Sequence, residues 1–340
     1  MHAFGAEFAV PPGYLNTPSI GVPSAAVADA VAEVVEKWRR GETRPNDFDA
    51  IVDRSRAGFA RLAGVPADRV TIGASASQLV GNVAAGLADG ARVLVAEGDF
   101  TSVTFPFAAH ADRGVTVTEV PPERLADRVE GHDLVAVSLV QSIDGSVADL
   151  TGLRAAAEAS GAAVLLDVTQ AAGWLPLETA WADWVLAAGY KWLLSPRGAA
   201  WMAVHPRAHG RTRPAAANWF AGGDDRWNSI YGLPLRLAGD ARGFDLSPVW
   251  LAHVGAAVAL DYLGSLDLAE VRAHNVGLAK ALLGALGLPA RDSAIVSLAA
   301  DPARMAAAGV VSGVRDGRVR VGFHLYNTAD DVERVLSAFE

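Results

Sequence analysis

Between residues 70 and 204, short apolar runs that favour β-strands alternate with stretches of helical periodicity, and this alternation constrains the fold more than any other feature. The β-rich runs lie at 70–72, 92–95, 115–120, 134–139, 163–166, 184–187 and 199–204. Helical patterns at 77–87, 102–111 and 150–160 separate several of them. Strands alternating with helices predict an α/β fold, with a mainly parallel seven-stranded sheet between helices.

The pattern changes on either side of this region. Helices are predicted at 24–41 and 47–63, and residues 207–245 have the composition of a loop-rich connection. Beyond it, helices are predicted at 248–264, 266–286 and 328–339, and strands at 295–298 and 318–323. We therefore expect a large domain at 14–240. A smaller α+β domain is expected at 241–340, and residues 1–13 are expected to belong to this smaller domain.

Composition excludes several classes of protein. The 340 residues are 51% hydrophobic and 20% charged, which is typical of a globular chain of about two domains. A net charge of −9 argues against nucleic-acid binding. We expect a cytoplasmic protein without a membrane span, because we find neither a signal-like N-terminus nor an apolar run of about 18 residues. With no cysteine, the chain cannot use a thiol nucleophile, a persulfide or a disulfide.

Ligands of a parallel sheet bind at the carboxyl ends of its strands. After the run at 70–72 comes Gly73-Ala74-Ser75-Ala76-Ser77-Gln78, which leads into a predicted helix. Small residues, hydroxyl groups and a helix N-terminus suit a phosphate, although an ordinary helix cap is the alternative. The segment is neither a dinucleotide fingerprint nor a P-loop.

Two further strand ends carry reactive groups. Asp167 follows the run at 163–166, where an unpaired carboxylate is costly, so it is expected to pair or to cap a helix. Lys191 is one of only three lysines and lies in an apolar, aromatic segment. Desolvation lowers the pKa of such an amine and makes it nucleophilic. A phosphate, an aldehyde and a ring nitrogen occur together in pyridoxal 5′-phosphate (PLP), which these three features would bind.

At this point the chain resembles the class V aminotransferase group of fold-type I PLP enzymes, which includes cysteine desulfurases, kynureninase and C–S lyases. The strongest stretches are LLDVTQAAGWLPL and AAGYKWLLSPRG. The resemblance implies catalytic roles for Lys191, as the Schiff-base lysine, and for Asp167, as the partner of the ring nitrogen. It implies cofactor contacts for Ser75 and Ala76 (phosphate), Tyr190 (phosphate), Phe100 (ring stacking), Gln170 (phenolic oxygen) and Gln141 (near the cofactor).

Substrate recognition is also implied by the resemblance. Arg320 interrupts an apolar strand and matches an arginine that binds a substrate carboxylate, with Arg318 as the alternative. Asn16 and Trp219 are expected to line the pocket. The family is dimeric, so we expect a homodimer in which the loop 219–247 completes the neighbour's site.

Differences between this sequence and the family limit which of the family's activities can be expected of this chain. A desulfurase needs a catalytic cysteine and carries a histidine where Phe100 stands, and kynureninase has a histidine in place of Gln170. The first expectation is a PLP-dependent aminotransferase acting on an α-amino acid. A cysteine-free C–S lyase, an amino-acid epimerase and a non-catalytic PLP-fold binding protein remain alternatives.

Other chemistries have weaker support. Ser75 lies in a segment that resembles a nucleophile elbow, but no histidine clearly completes a triad. His205 and His209 have helical spacing without a third ligand, so no metal site is expected. A nicotinamide dehydrogenase is disfavoured because the glycine fingerprint is missing.

Overall fold

The computed structural model describes residues 1–223 and 225–339 of the chain. At the N-terminus, β1 (His2–Ala3) and β2 (Ala6–Glu7) pair as an antiparallel hairpin. Two helices follow, α1 (Ala25–Arg39) and α2 (Asp49–Ala63), as the apolar periodicity predicts. Gly64 ends α2 with a left-handed φ of 67°, a conformation that glycine adopts without steric cost.

A seven-stranded sheet forms the centre of the molecule. Its strands are β3 (Val70–Gly73), β4 (Arg92–Ala96), β5 (Thr116–Val120), β6 (Leu134–Ser138), β7 (Ala163–Asp167), β8 (Trp184–Ala188) and β9 (Ala200–Val204). They lie in the order β3-β9-β8-β7-β6-β4-β5. In this sheet β9 runs in the direction opposite to the other six strands. Those six therefore place their carboxyl ends along one edge.

Helices cover both faces of this sheet. They include α3 (Ala76–Gly86), α4 (Thr101–Ala108), α5 (Leu150–Ser160) and α6 (Trp250–Gly264). Along β4, Val93 and Val95 pack in the apolar cluster that contains α3 and α4. Leu94, between them, packs in the cluster that contains α2, α5 and α6. This alternation is the two-residue period of a strand that is buried on both sides.

The C-terminal part of the chain builds a smaller unit. Its elements are α7 (Leu268–Ala285), β10 (Ile295–Leu298), α8 (Pro302–Ala307), β11 (Gly313–Arg315), β12 (Arg318–Gly322) and α9 (Ala329–Ser337). The three strands form an antiparallel sheet in the order β10-β12-β11. A separate apolar cluster holds this unit together, and Leu15 from the N-terminal segment belongs to it.

The α/β class and the mainly parallel sheet are therefore confirmed, and each of the seven predicted runs forms a strand. The hairpin β1–β2, α8 and β11 were not predicted, because elements this short do not repeat a period often enough to be recognised. The division at residue 240 stays a prediction. The helix α6, which follows it, packs in a cluster of the large sheet.

Over the ranges 1–223 and 225–339, no helix is both long and apolar enough to cross a membrane. Within the same ranges, no three His, Asp or Glu side chains come together in a way that could hold a metal ion. His205 instead accepts the backbone N–H of Arg207 at 3.3 Å and caps a short 3-10 turn.

Candidate active site

A cavity of about 410 Å³ lies at the carboxyl edge of the large sheet. Loops that follow β3, β4, β6, β7 and β8 converge on it, as expected for a ligand site in a parallel sheet. Its lining residues are Ala74, Ser75, Ala76, Ser77, Phe100, Ser102, Ser138, Ser142, Asp167, Thr169, Gln170, Ala188, Tyr190, Lys191 and Arg197. The topology thus brings together most residues that the sequence singles out.

One end of the cavity is suited to an anion. Ser75 is the N-cap of α3, and its hydroxyl accepts the backbone N–H of Gln78 at 3.4 Å. The Ser75 and Ser77 hydroxyl groups lie 3.2 Å apart. The Arg197 guanidinium lies 5.3 Å from the centre of the Tyr190 ring and lines the same cavity. Hydroxyl donors, a helix N-terminus and a cation form a site for a phosphate group.

Asp167 is the last residue of β7 and is buried. Its Oδ1 accepts the backbone N–H of Thr169 at 2.8 Å, which fixes the carboxylate at the strand end. Burial raises the pKa of Asp167 to about 6, and the nearby Asp99 carboxylate adds to this increase. Hydrogen bonds from Thr169 and the charge of Lys191 oppose it. A carboxylate in this position is stabilised further by any cationic ligand group.

Lys191 follows β8, the strand next to β7, and is also buried. Burial lowers the pKa of its amine to about 8, against the attraction of Asp167. Its Nζ lies 5.1 Å from the centre of the Phe100 ring and 5.7 Å from that of Tyr190. Phe100 itself is 42% exposed, so one part of its ring remains available to a ligand. The amine is thus held between aromatic rings with a lowered proton affinity, as a nucleophile requires.

The segment that carries Lys191 is clamped by both ends of the chain. Gly21 donates its N–H to the Tyr190 carbonyl at 2.9 Å. A Cβ on Gly21 would lie 2.0 Å from the Lys191 carbonyl oxygen, so this contact requires glycine. From the other side, His324 Nε2 lies 3.0 Å from the Trp192 carbonyl. Leu194 adopts a left-handed φ of 54°, which marks backbone strain three residues after the lysine.

Arg320 lies beside the cavity, fully buried in β12. Its guanidinium donates to the carbonyl and the hydroxyl of Ser142, the latter at 2.9 Å, and to Ser19 Oγ at 2.8 Å. Within the described residues it has no carboxylate partner, and its Nε has no acceptor. Burial and the charge of Arg315 lower the pKa of Arg320 to about 10. A buried cation bonded only to neutral oxygens is suited to bind an anionic group.

Arg318, the alternative to Arg320 in the sequence prediction, lies at the surface. Arg318 shares the strand with Arg320, but it is exposed and bonds to the Ser297 hydroxyl at 3.0 Å. Of the two arginines, Arg320 is thus the one that contacts a residue lining the cavity, and its role in substrate binding stays a prediction.

Besides Arg320, which contacts the lining residue Ser142 without lining the cavity itself, three predicted contacts are not found in the cavity of this chain. Gln141 lines a neighbouring cavity, and the next residue, Ser142, faces the site instead, because the chain turns after β6 and strand alternation no longer applies. Asn16 forms a parallel bridge with Gly322. Trp219 packs 5.1 Å from the ring of Trp227, away from this cavity. A role for Trp219 in a neighbouring subunit stays a prediction, and Asp224 of the loop 219–247 lies outside the described residues.

Other lining residues were missed by the sequence prediction. Arg197 was detectable as the first basic residue after Lys191 on the same loop. Ser138, Ser142 and Thr169 gave no signal, because serine and threonine at strand ends commonly serve as turn and cap residues.

The donor set of the cavity fits PLP. A buried amine with a lowered pKa, a buried carboxylate that forms no ion pair among residues 1–223 and 225–339, and an anion site occur in one space. These groups match the aldehyde, the ring nitrogen and the phosphate of this cofactor.

Comparison with known families agrees with this arrangement. The family model for class-V aminotransferases matches residues 25–289. The chain therefore belongs to the class-V aminotransferase family of PLP-dependent enzymes, and its cofactor is pyridoxal 5′-phosphate.

Two curated relatives are probable cysteine desulfurases. The one from Pseudomonas aeruginosa is 28% identical over 264 residues, which cover 67% of this chain and 62% of the relative. The one from Pseudomonas putida is 25% identical over 244 residues, which cover 61% of this chain and 58% of the relative. The chain thus matches about three fifths of the length of these relatives.

Solved structures share the fold over almost the whole chain. The apo structure of a cysteine desulfurase from Thermococcus onnurineus NA1 has a TM-score of 0.82 at 20% identity, covering 97% of this chain and 94% of that one. A cystine C–S lyase in complex with cysteine persulfide has a TM-score of 0.85 at 18% identity, covering 97% and 98%.

Proposed function

We propose that this protein is a PLP-dependent lyase that cleaves the C–S bond of a sulfur-containing α-amino acid by β-elimination. The observation that carries the proposal is the meeting of Lys191 and Asp167 in one buried cavity, next to an anion site and to Arg320. Each of these groups has a separate task in binding the cofactor or the substrate.

In this proposal, Ser75, Ser77 and the N-terminus of α3 hold the phosphate, and Arg197 supplies a counter-charge. Asp167 pairs with the ring nitrogen. When bound, the cofactor supplies an aldehyde for the Lys191 amine and a ring that accepts electrons from the substrate. Burial of the Asp167 carboxylate strengthens its attraction for a protonated nitrogen, because the local dielectric constant is low.

Lys191 handles the proton at the α-carbon of the substrate. In the cofactor-free protein the pKa of its amine is lowered to about 8, so roughly a tenth of the amine is neutral at pH 7. A neutral amine is the form that accepts a proton, and a conjugate acid of this strength also returns one readily. The proton that Lys191 removes is the one that the departing sulfur needs.

Arg320 holds the carboxylate of the substrate. Its planar guanidinium suits a two-point contact with a carboxylate, and burial makes such a contact strong. Because Arg320 and Arg315 both donate to the Ser19 hydroxyl, at 2.8 Å and 3.4 Å, positive charge accumulates at this side of the cavity. An anionic ligand relieves the repulsion between the two arginines.

The comparisons favour C–S cleavage as the reaction. The relatives are named as cysteine desulfurases and a cystine C–S lyase. This chain has no cysteine to accept sulfur as a persulfide. The sulfur must therefore leave as part of the released product, together with any substituent that it carries in the substrate. The C–S bond breaks with its electron pair on sulfur. Overall, one water enters, and a thiol or persulfide, ammonia and a 2-keto acid are released.

Transamination, the first expectation from the sequence, begins with the same proton removal and is the second candidate. Epimerisation has less support, because it needs a base on each face of the α-carbon. Among the lining residues of the described chain, Lys191 is the only amine, and no histidine faces the cavity.

We also propose that the protein is a homodimer. Tyr231 and Leu233 are 86% and 89% exposed, and Ile230 and Leu235 extend this apolar segment. Exposed apolar patches of this kind mark interaction sites. A second copy of the chain would cover it and would bring the loop 219–247 towards the neighbour's cavity.

Incubation of the holoenzyme with cysteine, cystine and non-sulfur amino acids tests the reaction. A lyase releases ammonia, keto acid and sulfide or persulfide in equal amounts, while the cofactor keeps its aldehyde. Conversion of the cofactor to its amine form, without loss of sulfur, would replace this proposal by transamination. A yellow protein that reacts with no amino acid would be a binding protein.

A further inference from the structure

Asp99 is a second buried carboxylate at the carboxyl edge of the large sheet, in the turn that follows β4. One of its oxygens, Oδ1, accepts the backbone N–H of Phe100 at 2.7 Å and the Ser138 hydroxyl at 2.5 Å. The other oxygen, Oδ2, accepts the backbone N–H of Ser138 at 2.8 Å. Asp99 therefore joins the turn after β4 to the end of β6, the neighbouring strand.

These hydrogen bonds favour the ionised form of Asp99. Each carboxylate oxygen accepts a backbone N–H, which can only donate. Burial raises the pKa of Asp99, and the hydrogen bonds from Ser138 and Phe100 oppose this increase. All three donors are neutral groups, so none of them balances the negative charge.

One strand separates Asp99 from Asp167. Ser138 is the last residue of β6, and in the parallel register its partner is Asp167, the last residue of β7. Because adjacent strands lie about 4.8 Å apart, the two carboxylates act on each other across Ser138. The charge of Asp99 accordingly contributes to the raised pKa of Asp167. Ser138 and Asp167 line the cavity, and Asp99 lies behind them.

Two neighbouring carboxylates in a buried region repel each other, and a cation between them or beside them relieves the repulsion. Among the groups of the described chain, the Lys191 amine is the cation that acts on Asp167. A further cationic group placed at Asp167 by a ligand would be attracted by Asp167 directly and by Asp99 across Ser138. The arrangement therefore strengthens the preference of the cavity for a protonated ligand nitrogen.

We propose that Asp99 is a positioning residue for pyridoxal phosphate, whose charge acts across Ser138 and supports a protonated ring nitrogen at Asp167. In this role Asp99 acts through Asp167 and does not touch the cofactor. Its hydrogen bond to Phe100 fixes the turn that carries this aromatic ring, which is a separate, structural contribution. The proposal rests on the proposed function only in placing the ring nitrogen at Asp167.

Two cofactors separate the charge of Asp99 from its structural contribution. The first is pyridoxal phosphate, and the second is 1-deazapyridoxal 5′-phosphate, in which a C–H group replaces the ring nitrogen. The full chain is loaded with each cofactor, and equilibrium dialysis at neutral pH measures both affinities. In Asp99→Asn we expect the affinity for pyridoxal phosphate to decrease about ten-fold relative to that for the analogue, because a buried charge acts strongly on a nearby cation. A purely structural role would lower both affinities equally.

Asp99→Ser provides a second variant without the charge. It places no amide N–H against the backbone N–H of Ser138, so it serves if Asp99→Asn does not fold. Ser138→Ala keeps the charge of Asp99 and removes one hydrogen-bond donor. We expect Ser138→Ala to keep the preference for pyridoxal phosphate over the analogue. Thermal unfolding of each variant shows whether it has folded.

Asp183→Asn is the matched control. Asp183 is also buried, and its carboxylate also accepts a backbone N–H from the neighbouring strand, that of Val164 at 2.9 Å. It lies directly before β8, however, at the opposite edge of the sheet. We expect Asp183→Asn to change the thermal stability without changing the ratio of the two affinities.

A preference for pyridoxal phosphate that persists in folded Asp99→Asn and Asp99→Ser would overturn the proposal. Asp167→Asn in the same assay tests the assumption about the ring nitrogen. If Asp167→Asn loses the preference and both Asp99 variants keep it, the role of Asp99 is rejected and the pairing of Asp167 stands. If Asp167→Asn keeps the preference, the ring nitrogen does not lie at Asp167, and both proposals are wrong. These binding measurements apply whichever reaction the enzyme catalyses.

Discussion

Asp167 ends one strand and Lys191 follows the adjacent strand, so the sheet itself brings a carboxylate and an amine into one buried cavity. Burial favours the neutral form of each group, moving the pKa of Asp167 to about 6 and that of Lys191 to about 8. Each charge partly opposes the shift of the other. The pair is costly in the free protein, and a ligand with a cationic and an electrophilic group recovers that cost.

Lys191 is expected to be the only lysine that captures the cofactor. After borohydride reduction, mass spectrometry of a digest should find pyridoxyl label on Lys191 in the wild type and on no peptide of Lys191→Ala. Lys37 and Lys280 provide controls, because they are surface residues in ion pairs with Glu33 and Asp292. Label on either of them at a stoichiometry near one would contradict the assignment.

The rate at which the cofactor-free protein captures PLP should increase with pH. The lowered pKa of Lys191 makes its neutral, nucleophilic amine available at a lower pH than an ordinary lysine. We expect the second-order rate constant, measured by stopped-flow absorbance, to level off above a midpoint near 8. A midpoint above 10, as for a solvated lysine, would show that the amine is not desolvated.

Asp167→Asn should stabilise the cofactor-free protein while removing its function. The pKa of Asp167 is raised from 3.8 to about 6, so the folded state disfavours its charged form, and the cost is complete above pH 6 and disappears below pH 4. At pH 9, where the Lys191 amine is largely neutral, the free energy of unfolding should increase by about 3 kcal/mol. Urea unfolding at pH 9 and at pH 3.5 measures the difference, which should vanish at the lower pH.

Arg320→Gln should raise KM for the amino-acid substrate by at least about tenfold, because a charge-assisted contact with the carboxylate is lost. The affinity for PLP should change little. Arg318→Gln is the matched control, since Arg318 lies two residues away on the same strand but bonds to Ser297 at the surface. Equal effects of the two replacements would show that Arg320 does not contact the substrate.

Leu233→Asp should shift the protein from dimer to monomer, because it places a charge in an apolar segment that is 89% exposed in the single chain. Sedimentation velocity at several concentrations measures the shift. If the loop 219–247 completes the neighbour's site, the monomer should also lose activity. A dimer that withstands this replacement would place the interface elsewhere.

The sequence predicted the main sheet well because its strands are buried on both faces. The run at 163–166, for example, is continuously apolar and ends at Asp167, so its type and extent are evident. Asp167 was found for the same reason, since it is a charged residue directly after such a run, and Lys191 follows the next run by only a few residues. Parallel neighbours then bring strand ends together without further information.

The remaining part of the site depends on turns and on side-chain contacts. Gln141 and Ser142 both follow β6, and only the conformation of the turn decides which one faces the cavity. The hydrogen bond from Trp192 to Gln170 was not predicted, because it depends on the direction of the indole N–H. Periodicity locates a side chain on one face of an element, but it does not orient a hydrogen-bond donor.

The clamp on the Lys191 segment has a consequence for how the protein matures. Gly21 holds one side of the segment and His324 holds the other, so the lysine is fixed only when residues near both ends of the chain have docked. A nascent chain cannot complete this clamp until residue 324 has left the ribosome tunnel. Uptake of the yellow cofactor thus reports a late stage of folding, and an incompletely synthesised chain contains Lys191 without the clamp that fixes it.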